Sequence, residues 1–227
     1  MSEDLNQLRN AIDSLDDEIL QALAKRMKLS DQVIAAKNGV AAFRPGREAA
    51  LVRHLVAKSN AEGLDLAREA VLSVWRQIMA ASLSRQNGDL TCAVHQRVMP
   101  AAAWHMGSSL AAIVDMEIAP LIDAVAADQY RYAFVPADDQ YNRELLACLD
   151  QHHHLKIIAR TPLYCMQSVH PAFIIASYLP DPSGDDISLF AVRAVHGFDL
   201  VSVTGHYELV TASGLPNDAR LVGAYAR

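Results

Sequence analysis

Cationic and amide side chains recur on the first helical stretches of this 227-residue chain, accompanied by one carboxylate and one hydroxyl. No nucleophile, metal-ligand set or acid–base pair lies among them. The members are Arg9, Arg26, Lys37, Arg47, Glu48, Ser82 and Gln86. Such groups hold anions by charge and by hydrogen bonds. The set therefore predicts a site that binds a small dianion.

Helical spacing decides which of these side chains can share one ligand. Arg26 and Lys37 are separated by three turns, about 20° of offset and roughly 16 Å of rise, so their long side chains can converge. Arg9 lies about 25 Å from Arg26 along the same helix and faces about 100° away. If Arg9 serves this kind of site, it serves the one built on another subunit.

The remaining members add hydrogen-bonding groups of complementary types. Ser82 and Gln86 are four residues apart and share one face of a helix, whereas Arg47 and Glu48 lie in the first turn of the preceding helix. A hydroxyl, an amide and a carboxylate among several cations fit a ligand with two carboxylates, a hydroxyl and an ether oxygen. Each side chain alone would be an ordinary surface group, and their joint occurrence favours a site.

The composition predicts a packed globular protein. Hydrophobic residues make up 52% of the chain and charged residues 20%, which suits a buried core. A net charge of −6 disfavours a nucleic-acid partner, because such proteins need a basic surface. The three cysteines are too few for a disulfide framework. Without a signal peptide or a long apolar stretch, we expect a cytoplasmic protein with no membrane association.

The hydrophobic pattern predicts a multi-domain chain that changes character near residue 87. Residues 1–87 form an all-helical domain of three helices, one of them very long, with breaks at Asn38–Gly39 and Gly63 and a helix start at Pro45. Asp65 is the expected N-cap of the third helix. The apolar face of that helix is assigned to Val71, Val74, Trp75, Ile78 and Met79.

Residues 88–227 predict a small α/β domain. Expected strands alternate with two helices, and the boundaries follow apolar runs and turn residues. The strands are Leu90–Val94, Arg131–Val135, Leu155–Ala159, Phe173–Ala176, Ile187–Val192, Leu200–Val203 and Arg220–Ala224, and the helices are Ala111–Ala127 and Asn142–Gln151. His152–His154 are consecutive and point in different directions, so they predict a turn and not a metal site.

The stretch from Leu5 to Gln86 resembles the all-helical chorismate mutases, which form intertwined dimers. LRNAIDSLDDEILQALAKRMKLSDQVIAAK is similar to the first helix of that family, FRPGREAALVRHL to the start of the second and SLSRQ to the third. The resemblance implies a homodimer with shared active sites that converts chorismate to prephenate. This Claisen rearrangement needs no metal or organic cofactor, because it passes through no covalent intermediate.

The resemblance also implies a role for each candidate residue. Arg9 of the partner subunit and Arg26 would hold the two carboxylates of the substrate, and Lys37 with Gln86 would donate to the ether oxygen. Glu48 would accept from the ring hydroxyl, while Arg47 and Ser82 position the substrate. Arg44 stands where the family has aspartate, which makes it a further substrate-contact candidate. Since all these residues precede residue 88, the helical domain alone is expected to be active.

The second half resembles prephenate dehydratases in two segments, LIDAVAADQYRYAFVPADD and GDDISLFAV. It departs from them at the catalytic motifs. Asp138, Asp139 and Gln140 replace the glutamate, asparagine and serine that follow the proline, and Leu189 replaces an arginine beside Ser188. The departures indicate a degenerate domain that does not dehydrate prephenate, with the Ser188 hydroxyl at a strand edge.

Three alternative functions stay open on the sequence alone. One is a bifunctional mutase–dehydratase, which would produce phenylpyruvate. Another is a non-catalytic dimer that senses a metabolite of aromatic amino-acid biosynthesis. A third is an isochorismate-cleaving pyruvate lyase, which uses the same helical fold.

Overall fold

The structure is a computed structural model that describes residues 3–36, 43–87, 90–107, 110–115, 117–164, 169–210 and 214–227. Within these ranges the side chains of residues 3, 34–36, 86, 87 and 90 are not described. Lys37 and the expected break at Asn38–Gly39 therefore lie outside the described residues. Three helices come first in the chain, and an α/β sheet follows them.

The three helices confirm the N-terminal prediction. Helix α1 spans Glu3–Ala36, α2 spans Pro45–Ala61 and α3 spans Arg68–Asn87. Proline begins α2 because its missing N–H would have no partner in the first turn. The expected N-cap of α3 was wrong: Asp65 has a φ of +47°, and the helix begins three residues later. The left-handed backbone at Asp65 belongs to the turn that reverses the chain.

The α/β half contains more elements than the sequence patterns predict. Its strands and helices are β1 (Leu90–His95), α4 (Met99–Met106), β2 (Leu110–Asp115), α5 (Ile118–Ala126), β3 (Tyr132–Pro136), α6 (Asp139–Gln151), β4 (Lys156–Thr161), β5 (Ala172–Ala176), β6 (Asp186–Ala194), β7 (Gly197–Thr204) and β8 (Arg220–Ala226). All seven expected strands are present with shifted ends, and α4 is an addition.

The expected helix Ala111–Ala127 was wrong in its first part. Residues 110–115 form β2, which pairs in parallel with β1, and the helix begins at Ile118. Pro120 explains the late start, because proline is tolerated in the first turn of a helix and not in its interior. The alanine content of the segment favoured a helix, but hydrogen bonds to a distant strand decided its conformation.

The strands lie in one mixed sheet with the order β2-β1-β3-β5-β4-β8-β6-β7. The pairs β1–β2, β1–β3 and β4–β8 are parallel, and the other neighbours are antiparallel. Helices α5 and α6 bury their apolar sides in one core cluster with residues of the sheet. Helix α4 packs into a second cluster. The sheet therefore has helices over both faces.

The helical half and the sheet half are in direct contact. Phe43, just before α2, is fully buried in the cluster that α4 shares with the sheet. Its ring meets the rings of His105 at 5.3 Å and Tyr132 at 5.5 Å between centroids. Arg53 of α2 donates to the carbonyl oxygens of Ser183 at 2.7 Å and of Arg227 at 2.8 Å. These contacts fix α2 against the sheet half.

Much of α1, in contrast, extends away from the other elements. Every residue from 4 to 22 is exposed, including the apolar positions of its stripe. A helix of 34 residues is about 51 Å long, and its hydrogen bonds to α3, from Arg26, Met27 and Asp31, lie in its second half. Among the described residues no helix is long and apolar enough to cross a membrane.

Candidate active site

The three helices enclose one open cleft on the helical half. Its volume is about 400 Å³, which is ample for a small organic ligand. The lining side chains combine cations with a hydroxyl, a carboxylate and apolar groups. They are Arg26, Leu29, Ser30, Val33, Arg44, Arg47, Glu48, Leu51, Met79, Ser82 and Leu83. The structure thus brings five predicted site residues, Arg26, Arg44, Arg47, Glu48 and Ser82, to one place.

Arg26 and Ser82 form the floor of the cleft. Arg26 Nη1 donates to Ser82 Oγ at 2.8 Å, and Ser82 Oγ lies 3.1 Å from the carbonyl oxygen of Ile78 one turn earlier. Burial lowers the pKa of Arg26 from its usual value, and the charge of Glu48 opposes that shift. A guanidinium stays protonated under such perturbation. Arg26 is therefore a cation held by a buried hydroxyl.

Glu48 is bound to Arg76, a residue that the sequence patterns did not single out. Arg76 Nη1 lies 2.5 Å from Glu48 Oε2, and the side chains are 5% and 18% exposed. A buried ion pair persists only when its geometry compensates for desolvation. Arg76 occupies the buried side of α3, whereas Val74, assigned to that side, is 53% exposed. An arginine among apolar positions was the signal that could have identified it.

Arg44, the departure from the family pattern, has a partner in the sheet half. Its Nη2 lies 3.2 Å from Asp181 Oδ2. The same carboxylate accepts from the backbone nitrogens of Gly46 and Arg47, each at 3.0 Å. Asp181 therefore acts as an N-cap for α2 across the contact between the halves. Position 44 lacks the aspartate of the family, but the carboxylate of Asp181 lies next to that position.

Arg47 and the three other candidates differ in how the described residues place them. Arg47 is exposed at the rim. Arg9 is exposed on the outer part of α1, and it is not among the residues that line the cleft. Gln86 belongs to the last turn of α3, and its side chain is not described. Lys37 lies outside the described residues.

The sheet half does not assemble its candidate residues into a site. Ser188 is fully buried and its hydroxyl donates to the carbonyl oxygen of Gly205 at 2.7 Å. Asp138 forms an ion pair with Arg97 at 3.3 Å, and Asp139 accepts from Asn142 at 3.2 Å. The Ser188 hydroxyl therefore has a structural partner at the strand.

Metal ligation finds no support in the described ranges. They contain no cluster of three or more histidine, cysteine, aspartate or glutamate side chains that could hold an ion. His152 instead bonds Asp123, with 2.8 Å between Nε2 and Oδ1. The first of the three consecutive histidines therefore takes part in a local contact between α5 and the end of α6.

The helical half, which contains the cleft, matches a known protein family. Residues 8–87 match the family described as chorismate mutase type II, so the helical segment carries a chorismate mutase type II domain. The T-protein of Haemophilus influenzae is 33% identical over 87 residues, which are 37% of this chain and 22% of that protein. The T-protein of Enterobacter agglomerans is 32% identical over 89 residues, 38% of this chain and 23% of the relative. The chain thus spans under a quarter of the length of these relatives.

Two solved structures resemble a larger part of the chain at low identity. A structure described as GqqA, a novel type of quorum quenching acylase, covers 62% of this chain and 96% of its own, with a TM-score of 0.44 and 14% identity. The prephenate dehydratase of Streptococcus mutans covers 60% of this chain and 98% of its own, with a TM-score of 0.42 and 13% identity. Neither likeness is close enough to assign an activity.

Proposed function

We propose that this protein is a chorismate mutase that converts chorismate to prephenate, in the cytoplasm, on the route to phenylalanine and tyrosine. The observation that carries the proposal is the cleft: three guanidinium groups, from Arg26, Arg44 and Arg47, surround it in a chain of net charge −6. Ser82 and Glu48 add a hydroxyl and a carboxylate. A flexible dianion with a ring hydroxyl complements this set in charge and in hydrogen bonding.

The proposed mechanism is selection of a compact conformer followed by electrostatic stabilisation. A unimolecular rearrangement gains rate when both ends of the substrate are held close together. Arg26 and a partner's arginine would bind the two carboxylates for this purpose. Lys37 and Gln86 would donate to the ether oxygen, on which negative charge grows as its bond to carbon breaks. Glu48, held by Arg76, would accept from the ring hydroxyl.

The proposal includes a homodimer in which Arg9 crosses to the site of the other chain. The apolar stripe on α1 supports it, because Leu8 is 59%, Ile12 57% and Leu15 57% exposed in the single chain. Contiguous apolar surface of this kind is typical of an interface. A second copy is the occupant we propose, since Arg9 lies about 25 Å along α1 from Arg26.

Mixing two inactive variants tests the shared site. Arg9→Ala and Lys37→Ala homodimers should each be nearly inactive. When equal amounts are unfolded and refolded together, about half the dimers become mixed, and each mixed dimer keeps one intact site. Recovered activity should approach about a quarter of the parent value. Differential tags show whether mixed dimers form. If they form and have no activity, Arg9 acts in the site of its own chain.

Product analysis tests the reaction itself. The purified protein is incubated with chorismate, and the products are separated by chromatography. Prephenate as the only product supports the proposal. Phenylpyruvate would instead indicate the bifunctional enzyme, and absence of turnover would indicate the non-catalytic sensing dimer. Pyruvate release from isochorismate would show the lyase.

Lys37→Ala should lower turnover about a hundred- to a thousandfold, a loss of roughly 2.7–4 kcal/mol in transition-state stabilisation.

We propose the sheet half, residues 88–227, as a second domain that supports the mutase site and does not dehydrate prephenate. Ser188 supports this, because its hydroxyl already donates to Gly205. Leu189, where an arginine would bind a carboxylate, is 2% exposed and belongs to the core. Asp181 supports the site by its ion pair with Arg44 and by accepting a hydrogen bond from the first turn of α2.

A further inference from the structure

A second cavity lies where α2 and α3 meet the sheet half, next to the cleft. Its volume is about 40 Å³, room for about three groups the size of a water molecule. Glu48 and Met79 line both spaces. Arg76, His105 and Thr161, which are almost completely buried, line the second cavity. His105 and Thr161 have no part in the proposed mutase site, and Arg76 enters it only through its ion pair with Glu48.

Arg76 lines this cavity and has one edge of its guanidinium that no described residue uses. Its Nη1 is bound to Glu48, but Nε and Nη2 are buried and have no hydrogen-bond partner among the described residues. These two nitrogens carry parallel N–H bonds on one edge of the planar guanidinium. That edge matches the two oxygens of a carboxylate in a bidentate arrangement. Buried donors without partners are costly, so such an edge indicates a missing acceptor.

His105, another residue that lines the cavity, also has a nitrogen that no described residue uses. Its Nδ1 lies 2.9 Å from Thr161 Oγ1, whereas Nε2 is buried and has no partner within the described part of the chain. Burial, and then the charge of Arg76, lower the pKa of His105 well below its usual value. The ring is therefore neutral. When the Thr161 hydroxyl donates to Nδ1, Nε2 carries the hydrogen and becomes a donor.

Charge and polarity around the cavity favour a small anion with an apolar end. Two of the lining side chains, Arg76 and Arg160, are cations, and Glu48 is an anion. The local balance is positive before any ligand binds. Trp104 and Leu163 contribute apolar wall, which suits hydrocarbon more than inorganic phosphate or sulfate.

We propose that this cavity binds the carboxylate of a short-chain organic acid, of roughly two to four carbon atoms, on the Nε–Nη2 edge of Arg76. His105 Nε2 donates the third hydrogen bond, and the hydrocarbon end packs against the apolar wall. The same guanidinium also holds Glu48, so Arg76 would bind two carboxylates at once when the acid is present.

The test measures binding of sodium propionate to the full chain by isothermal titration calorimetry at fixed ionic strength. Propan-1-ol serves as the ligand control, because it has the same hydrocarbon end without the carboxylate. Propionate should bind one to one, with a dissociation constant on the order of a millimolar, as expected for so few atoms. Propan-1-ol should not bind measurably, and benzoate should bind less well because it exceeds the cavity.

Two arginine variants decide where the acid binds. Arg76→Lys keeps a cation beside Glu48 and removes the two-pronged edge, so propionate affinity should fall at least tenfold. Arg47→Lys is the matched control in the other cleft and should leave propionate binding unchanged. His105→Phe keeps the ring shape and removes the Nε2 donor, and it should weaken binding several-fold. This variant gives an independent answer if Arg76→Lys does not fold.

Several outcomes would overturn the proposal. Loss of binding in Arg47→Lys with full binding in Arg76→Lys would place the acid in the mutase cleft. Equal binding of propionate and propan-1-ol would make the site apolar. A crystal grown in propionate that shows ordered water alone on Arg76 would make the cavity a hydration site. None of these measurements uses chorismate, so they are independent of the mutase assay.

Discussion

Asp181→Ala tests whether the sheet half holds the mutase site in its working geometry. The change removes the acceptor of two backbone N–H groups at the start of α2, Gly46 and Arg47. Loss of a helix N-cap costs about 0.5–2 kcal/mol. The pair with Arg44, which is 41% exposed, adds about 0–1 kcal/mol. The free energy of unfolding should therefore fall by about 0.5–3 kcal/mol.

Activity should fall along with stability, because the freed first turn carries Arg47 and Glu48. We expect a loss of at least about tenfold in kcat/KM for chorismate, equivalent to about 1.4 kcal/mol of positioning energy. Steady-state kinetics measures this loss, and urea unfolding measures stability. Asp185→Ala is the control: it removes an exposed ion pair with Arg227 and should change stability by less than about 0.5 kcal/mol.

An unchanged kcat/KM in Asp181→Ala would refute this reasoning. So would a lowered KM, which would mean that Asp181 only keeps Arg44 away from the substrate. Deletion of residues 88–227 extends the same test, since it removes Asp181 and exposes Phe43, which is fully buried in the whole chain. The contacts lead us to expect a fragment with far less than a tenth of the parent activity, contrary to the expectation from residue positions alone.

Three further outcomes are expected. Gly46→Ala should destabilise the fold despite the helix propensity of alanine, because the added Cβ would overlap the backbone of Asp181. Urea unfolding of this variant beside the parent measures the loss, and equal stability would contradict the overlap. The pKa of His105 is lowered, so stability should be full above about pH 6.5 and fall by at most about 1.4 kcal/mol per unit as the pH decreases. Unfolding of His105→Phe should lack this component, and an identical pH dependence in both proteins would contradict it. Burial raises the pKa of Cys92 to about 12, so iodoacetamide should label it only after unfolding, as peptide mass spectrometry would show.

The sequence by itself predicted the elements that depend on local preferences. Apolar residues at helical spacing predicted α1, α2 and α3, and Pro45 predicted where α2 begins. Five of the eight predicted site residues also meet at one cleft. Those residues sit at fixed intervals on helices, so helical geometry and the family pattern together were sufficient to group them.

Tertiary structure decided what depends on contacts between distant parts of the chain. Residues 110–115 became a strand because β1 offered hydrogen bonds, against the helical preference of their alanines. Arg76 became buried because Glu48 faces it across two helices. Asp181 lies more than a hundred residues from the helix that it caps. No local pattern encodes such pairs, since a charged side chain looks the same in sequence whether it faces water or a partner.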